Sequence, residues 1–172
     1  MAEKDCEPTV DLDKVAALLH KIAIFGGLTT EQKNRLIKEL RSVSYAAGER
    51  IFGEGGAPSH IYIVERGRVT IVMDIERKAL VLAEFTAGHC FGETSVIGIL
   101  PHAATAVAAE ETDLLVLPRE ALLHLYDEDP RLFGMLVLNI AREACRRLYR
   151  TDAALLDYAS EGASAVTNDT EP

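Results

Sequence analysis

Cysteine is scarce in this 172-residue chain, and long apolar runs are missing from it. The three cysteines, Cys6, Cys90 and Cys145, are widely separated and form no Cys-x-x-Cys pair, which argues against a zinc site and a disulfide framework. The N-terminal segment lacks the apolar core of a signal peptide, and no apolar run approaches the roughly 20 residues that span a bilayer. These absences predict reduced thiols, no membrane contact and a cytoplasmic location.

Basic residues are also fewer than acidic residues. The 18 lysines and arginines are outnumbered by 27 acidic residues, which gives a formal net charge of −9 at pH 7. A duplex-DNA surface normally needs a surplus of clustered Lys and Arg, so this balance argues against one. Apolar residues make up 48% of the chain, which is enough for one hydrophobic core and excludes a disordered chain.

The period of the apolar residues changes twice along the chain. Residues 11–24 and 31–40 have helical spacing, and Thr29 or Thr30 can cap the second helix. Residues 42–117 then alternate with a period near two and are punctuated by glycine, which predicts about eight short strands. Short strands joined by glycine turns are typical of an antiparallel sandwich or jelly roll rather than a parallel sheet.

Helical spacing returns after Pro118, and Pro130 can begin a long helix that runs to Tyr158. The sequence therefore predicts an α+β domain over residues 11–158, built as a mainly antiparallel jelly roll (a double-stranded β-helix) flanked by N-terminal helices and a long C-terminal helix. Residues 1–10 and 159–172 are polar and are predicted to be disordered tails. One apolar stripe is expected along the long helix: Phe133, Val137, Ile140, Ala144, Leu148, Thr151, Leu155 and Tyr158.

The segment "FGETSVIGILPHAAT", residues 91–105, contains the candidate site. Gly92 permits an unusual turn, and the Glu93 carboxylate can accept hydrogen bonds from sugar hydroxyls. The amides of residues 94–96 (Thr94, Ser95 and Val96) begin a helix, where an anion is favoured.

This segment, together with "AAGERIFGEGGAPSHIYIVERGRVTIV", resembles the cyclic-nucleotide-binding domain family, of the catabolite-activator-like sensor type. The resemblance covers roughly residues 12–157. It implies that Glu93 holds a ribose, that the early cassette amides and that of Ala103 hold a cyclic phosphate, and that Thr105 contributes a hydroxyl. The implied ligand is cAMP or cGMP, with no cofactor required and no catalysis.

His102 departs from the family pattern. It lies nine residues after Glu93, where the family's matching segment has an arginine that pairs with the phosphate. Arginine offers a permanent charge and two parallel donors, whereas a histidine of ordinary pKa near 6.5 is about one quarter protonated at pH 7. Losing one or two charge-assisted hydrogen bonds weakens binding by about ten- to ten-thousand-fold, so the residues predict weakened, acid-favoured binding.

Two other functions compete with this one. A ligand-free jelly roll used for dimerisation or scaffolding is favoured by the missing arginine. A cupin-like metal enzyme would need His60, His89 and His102 as ligands, but they lack the close spacing of such a site.

The long helix suggests how ligand binding would be transmitted to another protein. Four of its arginines, Arg142, Arg146, Arg147 and Arg150, are expected on a solvated face, although one of them can replace the missing cation. The resemblance and the apolar stripe predict a homodimer through this helix. No recognition helix fits after Tyr158, so the expected output is an unidentified protein effector and not direct DNA binding.

Overall fold

The computed structural model describes residues 22–75 and 78–167. A short 3-10 helix at Ala23–Phe25 precedes α1, Thr30–Glu39. Thr29 caps α1: its hydroxyl accepts the Gln32 amide, and the Gln32 side chain accepts the Thr29 amide in return. Residues 1–21, which hold the predicted tail and most of the predicted first helix, lie outside the described residues.

The described chain then forms eight strands in two antiparallel sheets, ordered β1-β8-β3-β6 and β2-β7-β4-β5. The predicted jelly roll is confirmed. The strands are β1 Arg41–Tyr45, β2 Arg50–Phe52, β3 His60–Arg66, β4 Arg68–Ile75, β5 Lys78–Thr86, β6 Cys90–Phe91, β7 Thr105–Ala108 and β8 Thr112–Pro118.

Gly67 carries the chain from one sheet to the other. It joins β3 to β4 with a φ of 89°, the left-handed conformation that its position in the sequence predicts. A Cβ here would lie 2.5 Å from the Glu111 carbonyl oxygen and 2.6 Å from Thr112 Oγ1. The crossing therefore needs glycine for both its backbone conformation and its close packing.

Three helices complete the described fold: α2 Glu93–Gly98, α3 Arg119–Glu128 and α4 Pro130–Thr167. Pro130 begins α4 as predicted, but the predicted end at Tyr158 was wrong because the helix continues to Thr167. Residues 159–167 contain three alanines and a glutamate, which favour a helix enough to extend it past the glycine and serines.

The face of α4 that packs on the domain differs from the predicted stripe. Leu132, Leu136 and Ile140 are buried, whereas Phe133 and Val137 are only half-buried. The buried residues join a core with α1, α3 and the apolar residues of β3 and β8. Asn139 fixes this packing, since its Nδ2 donates to the carbonyl oxygens of Ile24 and Gly26.

Beyond this core the apolar side chains of α4 are exposed. Leu148, Tyr149, Leu155 and Leu156 all lie in solvent, and nothing is described for the Tyr158 side chain. Within the described residues, no helix has the length and apolar character needed to cross a membrane.

Candidate functional site

Gly92 opens α2 in a conformation that few residues adopt. Its φ is 81°, and a Cβ would lie 3.0 Å from the His60 carbonyl oxygen and 3.1 Å from the Tyr62 ring. The sharp turn predicted at Gly92 is present, and the space beside it is filled by β3. Gly92 thus seats the start of α2 directly on the sheet and points the next residue inward.

That next residue, Glu93, is completely buried. Its Oε1 lies 2.8 Å from Nη2 of Arg147, whose side chain is 30% exposed and comes from α4. The second oxygen, Oε2, has no hydrogen-bond partner among the described residues. The carboxylate is therefore compensated by one cation on one side and retains an unused acceptor on the other.

Burial is the dominant influence on the titration of this carboxyl. It raises the pKa of Glu93 above its ordinary value, and the nearby Arg147 charge opposes the rise. Burial likewise raises the pKa of the neighbouring Cys90 thiol to about 12, with the Glu93 charge adding to the effect. Cys90 is consequently a neutral core thiol at physiological pH.

Arg147 makes two further contacts at this end of the site. Its guanidinium carbon lies 5.1 Å from the centre of the Phe85 ring, and Nη2 lies 3.4 Å from the Cys90 carbonyl oxygen. The helix α4 therefore reaches the cassette through one arginine that contacts β5, β6 and α2 together.

The amides at the start of α2 differ in whether they donate a hydrogen bond within the helix. Val96 donates to the Gly92 carbonyl at 3.2 Å, which is the first intrahelical bond. The amides of Thr94 and Ser95 precede that bond, as do the first donors of any α-helix. Of the three amides at the start of α2 that were predicted to hold the phosphate, that of Val96 thus already donates within the helix.

His102 lies at the other end of the cassette, buried and stacked on Phe52. The two ring centres are 3.7 Å apart and the planes differ by 10°. The backbone is held as well, since the His102 amide donates to the Gly56 carbonyl and its own carbonyl accepts from the Gly55 amide. The histidine that replaces the expected arginine is therefore packed on an aromatic ring.

The remaining predicted residues lie beside His102. Ala103 is exposed, and Thr105 begins β7 with its hydroxyl oxygen accepting the Glu54 amide at 3.1 Å. That contact ties Thr105 to the glycine-rich loop between β2 and β3. Its hydroxyl has a structural use here, and it retains a proton to donate.

Aromatic rings connect the two ends of the cassette. Phe85 is 5.6 Å from Phe91, Phe91 is 5.1 Å from Tyr62, and Tyr62 is 5.6 Å from Phe52, measured between ring centres. Arg147 lies over the first ring of this row and His102 over the last. The interior between the two ends is filled by the protein's own side chains.

A cavity of about 490 Å³ adjoins the His102 end. Its volume is within the range of small-molecule sites. Glu93 is not among the residues that line it, so the two ends of the cassette do not open into one cavity in this conformation. The lining residues are Arg50, Ile51, Phe52, Gly53, Glu54, Gly56, Ala57, Ser59, Tyr62 and His102.

The three histidines of the alternative metal site have separate contacts. His60 Nδ1 lies 2.9 Å from Ser59 Oγ, His89 Nδ1 lies 3.1 Å from Thr86 Oγ1, and His102 stacks on Phe52. Among the residues that the structure describes, no group of three or more His, Cys, Asp or Glu is arranged to hold a metal ion.

The sequence analysis missed two contacts of the candidate site. The prediction of a solvated face was wrong for Arg147, although Arg142, Arg146 and Arg150 are exposed as expected. The signal was available, because Arg147 follows buried Ile140 by seven residues and so shares its face. The stacking of Phe52 on His102 had no comparable signal, since the two residues belong to distant segments.

Comparison with known proteins agrees with this architecture. The family model described as cyclic nucleotide-binding domain matches residues 42–129, half of the chain. The cyclic AMP receptor protein of Thermus thermophilus is 31% identical over 133 residues, which are 77% of this chain and 60% of that protein. The cGMP-dependent protein kinase of Eimeria tenella is 30% identical over 123 residues, 71% of this chain and 12% of that protein.

A solved structure shows the same fold. The cyclic nucleotide-binding domain from Methylobacillus flagellatus superimposes with a TM-score of 0.76 at 24% identity, covering 85% of this chain and 83% of that one. The chain spans less than two thirds of the two sequence relatives above, so it corresponds to one part of each of those longer proteins.

Proposed function

Because the chain belongs to the cyclic nucleotide-binding domain family, we propose that it is a regulatory module that takes a cyclic nucleotide, cAMP or cGMP, in its cassette. Glu93 accepts hydrogen bonds from the ribose. The amides of Thr94, Ser95 and Ala103 hold the phosphate, and His102 adds a charge when it is protonated. The module is not an enzyme, and its output is a change in a protein contact.

The contact between Arg147 and Glu93 carries this proposal. A ribose hydroxyl that reaches the Glu93 carboxylate must either use its free Oε2 or displace the guanidinium from Oε1. Displacement moves the Arg147 side chain from its present place over Phe85. Since that side chain belongs to α4, occupancy of the cassette is coupled to the position of the long helix.

Histidine at position 102 weakens this binding and makes it dependent on pH. A phosphate that approaches the edge of the His102 ring forms an ion pair only with the protonated imidazole, while Phe52 stacks on its face. Each charge-assisted hydrogen bond of such a pair contributes about 1.5–3 kcal/mol, so binding is tighter below the ordinary histidine pKa than above it.

Calorimetric titration with cAMP and with cGMP at pH 6 and pH 8 tests the proposal. The wild-type chain is expected to bind more tightly at pH 6, and His102→Arg is expected to bind at least about tenfold more tightly at pH 8. Glu93→Ala should abolish binding. Saturable binding that neither Glu93→Ala nor His102→Ala changes would contradict the assigned site.

A ligand-free scaffold is the second candidate, and the filled interior favours it. Phe52 covers one face of His102, and Arg147 pairs with Oε1 of Glu93, so each end of the cassette has a protein contact without a nucleotide. Absence of binding in both the wild-type chain and His102→Arg would support the scaffold. Binding restored by His102→Arg alone would instead indicate an intact pocket that lacks its cation.

We also propose that the exposed half of α4 pairs two copies of the chain. Leu148, Leu155 and Leu156 lie in solvent along a helix that extends past the core, and apolar helix surfaces of this kind are normally buried by a partner. Replacing Leu148 and Leu155 with aspartate should lower the molar mass measured by light scattering. The matched change of Leu123, an exposed residue of α3, to aspartate should not.

A further inference from the structure

The cavity at the His102 end contains a second basic residue. Among the described residues that line it, Arg50 and His102 are basic and Glu54 is acidic. Arg50 is an exposed residue at the start of β2. An arginine keeps its charge throughout the physiological pH range, whereas a histidine of ordinary pKa loses its charge near neutral pH. The cavity therefore holds a permanent positive charge that the cassette motif itself lacks.

The side chain of Arg50 folds back along its own strand. A Cβ added to Gly53 would lie 3.7 Å from Arg50 Nη1 and 4.0 Å from the guanidinium carbon, so the guanidinium lies beside Gly53. A Cβ added to Gly56 would lie 3.6 Å from Cδ2 of the His102 ring. The glycine-rich loop, residues 53–56, therefore has a basic group beside each of its ends.

This loop is hydrogen-bonded to the end of the cassette. The Gly55 amide donates to the His102 carbonyl at 2.8 Å. The Glu54 amide donates to Thr105 Oγ1 at 3.1 Å. Ala103, whose amide is assigned to the phosphate under the proposed function, lies between these two attachment points in the sequence. The loop thus holds the guanidinium of Arg50 next to the segment that offers donors to a phosphate.

We propose, on the premise of the function proposed above, that Arg50 supplies the permanent charge for the phosphate of the bound cyclic nucleotide, in place of the arginine that His102 replaces. A guanidinium offers parallel N–H donors that match two phosphate oxygens. Arg50 therefore binds the phosphate at any physiological pH, and His102 adds the part that depends on acid. Glu54 lines the same cavity and opposes the anion, so the affinity reflects both an attraction and a repulsion.

Calorimetric titration with cAMP at pH 8 tests this role of Arg50. Arg50→Gln should weaken binding at least about tenfold, because charge-assisted hydrogen bonds are lost, and Arg50→Lys, which keeps the charge, should fall between it and the wild-type chain. Glu54→Gln should strengthen binding about two- to fivefold, since it removes the repulsion. Arg41→Gln is the matched control: Arg41 is also exposed at the start of a strand but does not line the cavity, so the affinity should not change.

Inorganic phosphate separates the role of Arg50 from the proposed function. Its binding is followed by the His102 imidazole resonance in an NMR spectrum, against sodium chloride at matched ionic strength. Arg50→Gln should raise the phosphate concentration at half-maximal shift at least about tenfold, and Arg41→Gln should not. If phosphate behaves in this way and neither cAMP nor cGMP binds, the proposed function fails and Arg50 remains the cation of a phosphate site.

Two outcomes would overturn the role of Arg50. If cAMP binds the wild-type chain and Arg50→Gln equally tightly, that role fails and the proposed function stands. If neither cAMP, cGMP nor inorganic phosphate binds the wild-type chain, both fail.

Discussion

The two ends of the cassette are held by different forces. At the first end, Glu93 is buried in apolar surroundings and is compensated by one arginine from a distant helix. At the second end, His102 is held by an aromatic ring and by backbone hydrogen bonds to a glycine-rich loop. A polar ligand can compete for the first contact, because it offers hydrogen bonds of the same kind, whereas it cannot replace the stacking of two rings.

The difference shows which end of the cassette responds more to movement of its partner. A buried carboxylate with a single partner is sensitive to anything that moves that partner, since the low local dielectric makes its charge costly to leave alone. A stacked ring contributes less energy and depends little on charge. The four predictions that follow probe this contrast, from the largest expected effect to the smallest.

Gly92→Ala should have the largest effect, because it destroys the turn that buries Glu93. The positive φ and the close approach of Tyr62 together should lower the free energy of unfolding by about 2–4 kcal/mol in urea denaturation. Gly98→Ala is the matched control in the same helix, where the added methyl meets only the flexible Leu100 side chain and should cost less than about 1 kcal/mol. Equal losses would show that the turn at Gly92 is not special.

Arg147→Met should follow, since it leaves the Glu93 carboxylate buried without a cation. We expect a loss of about 2 kcal/mol at pH 8, less than the 3–5 kcal/mol of a broken buried pair, because Glu93 can take up a proton. A carboxyl group whose pKa is raised on folding contributes less stability as the pH rises above the pKa that it has in the unfolded chain. Removing Arg147 strengthens that trend, so the loss should be smaller at pH 5 than at pH 8.

Arg146→Met provides the comparison on the same helix. Arg146 is exposed and pairs with Glu143 one turn away at 3.1 Å, so its replacement should cost less than about 0.5 kcal/mol at either pH. A pH-independent loss in Arg147→Met, equal to that in Arg146→Met, would mean that the contact with Glu93 contributes nothing.

Phe52→Leu should produce a smaller loss at the second end, about 1 kcal/mol, by removing the ring that stacks on His102. Its distinctive readout is the imidazole resonance of His102 in an NMR spectrum, which should shift when the ring current is lost. Phe133→Leu removes a comparable half-buried ring that packs against Tyr126. It should cost a similar free energy and leave the His102 resonance unchanged.

Thiol labelling should detect the smallest change, a local opening without unfolding. In a Cys6→Ser chain at pH 8, exposed Cys145 should react at least about a hundredfold faster than Cys90, whose pKa of about 12 and burial suppress the thiolate. Arg147→Met should accelerate Cys90 and leave Cys145 unchanged, because Arg147 covers the Cys90 carbonyl. An unchanged Cys90 rate would show that α4 stays in place without its arginine.

Much of the fold could be predicted from local patterns. The turn at Gly67, the start of α4 at Pro130 and the alternation of Val43 and Tyr45 all depend on residues close together in the chain, where backbone geometry relates pattern to structure directly. The end of α4 was misplaced because helix propensity in residues 159–167 outweighs the scattered glycine and serines.

The candidate site was only partly predictable for a related reason. Gly92, Glu93 and His102 could be found from the cassette motif, since their spacing along the chain is part of the pattern. Their partners could not, because Arg147 and Phe52 meet them only after the sheets and α4 have packed. Of the four arginines predicted on a solvated face of the helix, one reaches Glu93, because the helix phase set by Leu132, Leu136 and Ile140 turns it toward the cassette.

The amino-acid order alone was sufficient for the succession of helices and strands, the jelly-roll class and the cassette, because these follow from periodicity and backbone preference over short distances. Packing determined which charge compensates Glu93, which ring covers His102 and which strand is left at the edge of its sheet. Those contacts join residues far apart in the chain, such as Cys90 and Arg147 with a separation of 57 positions. Their geometry depends on how whole elements bury their apolar faces against one another.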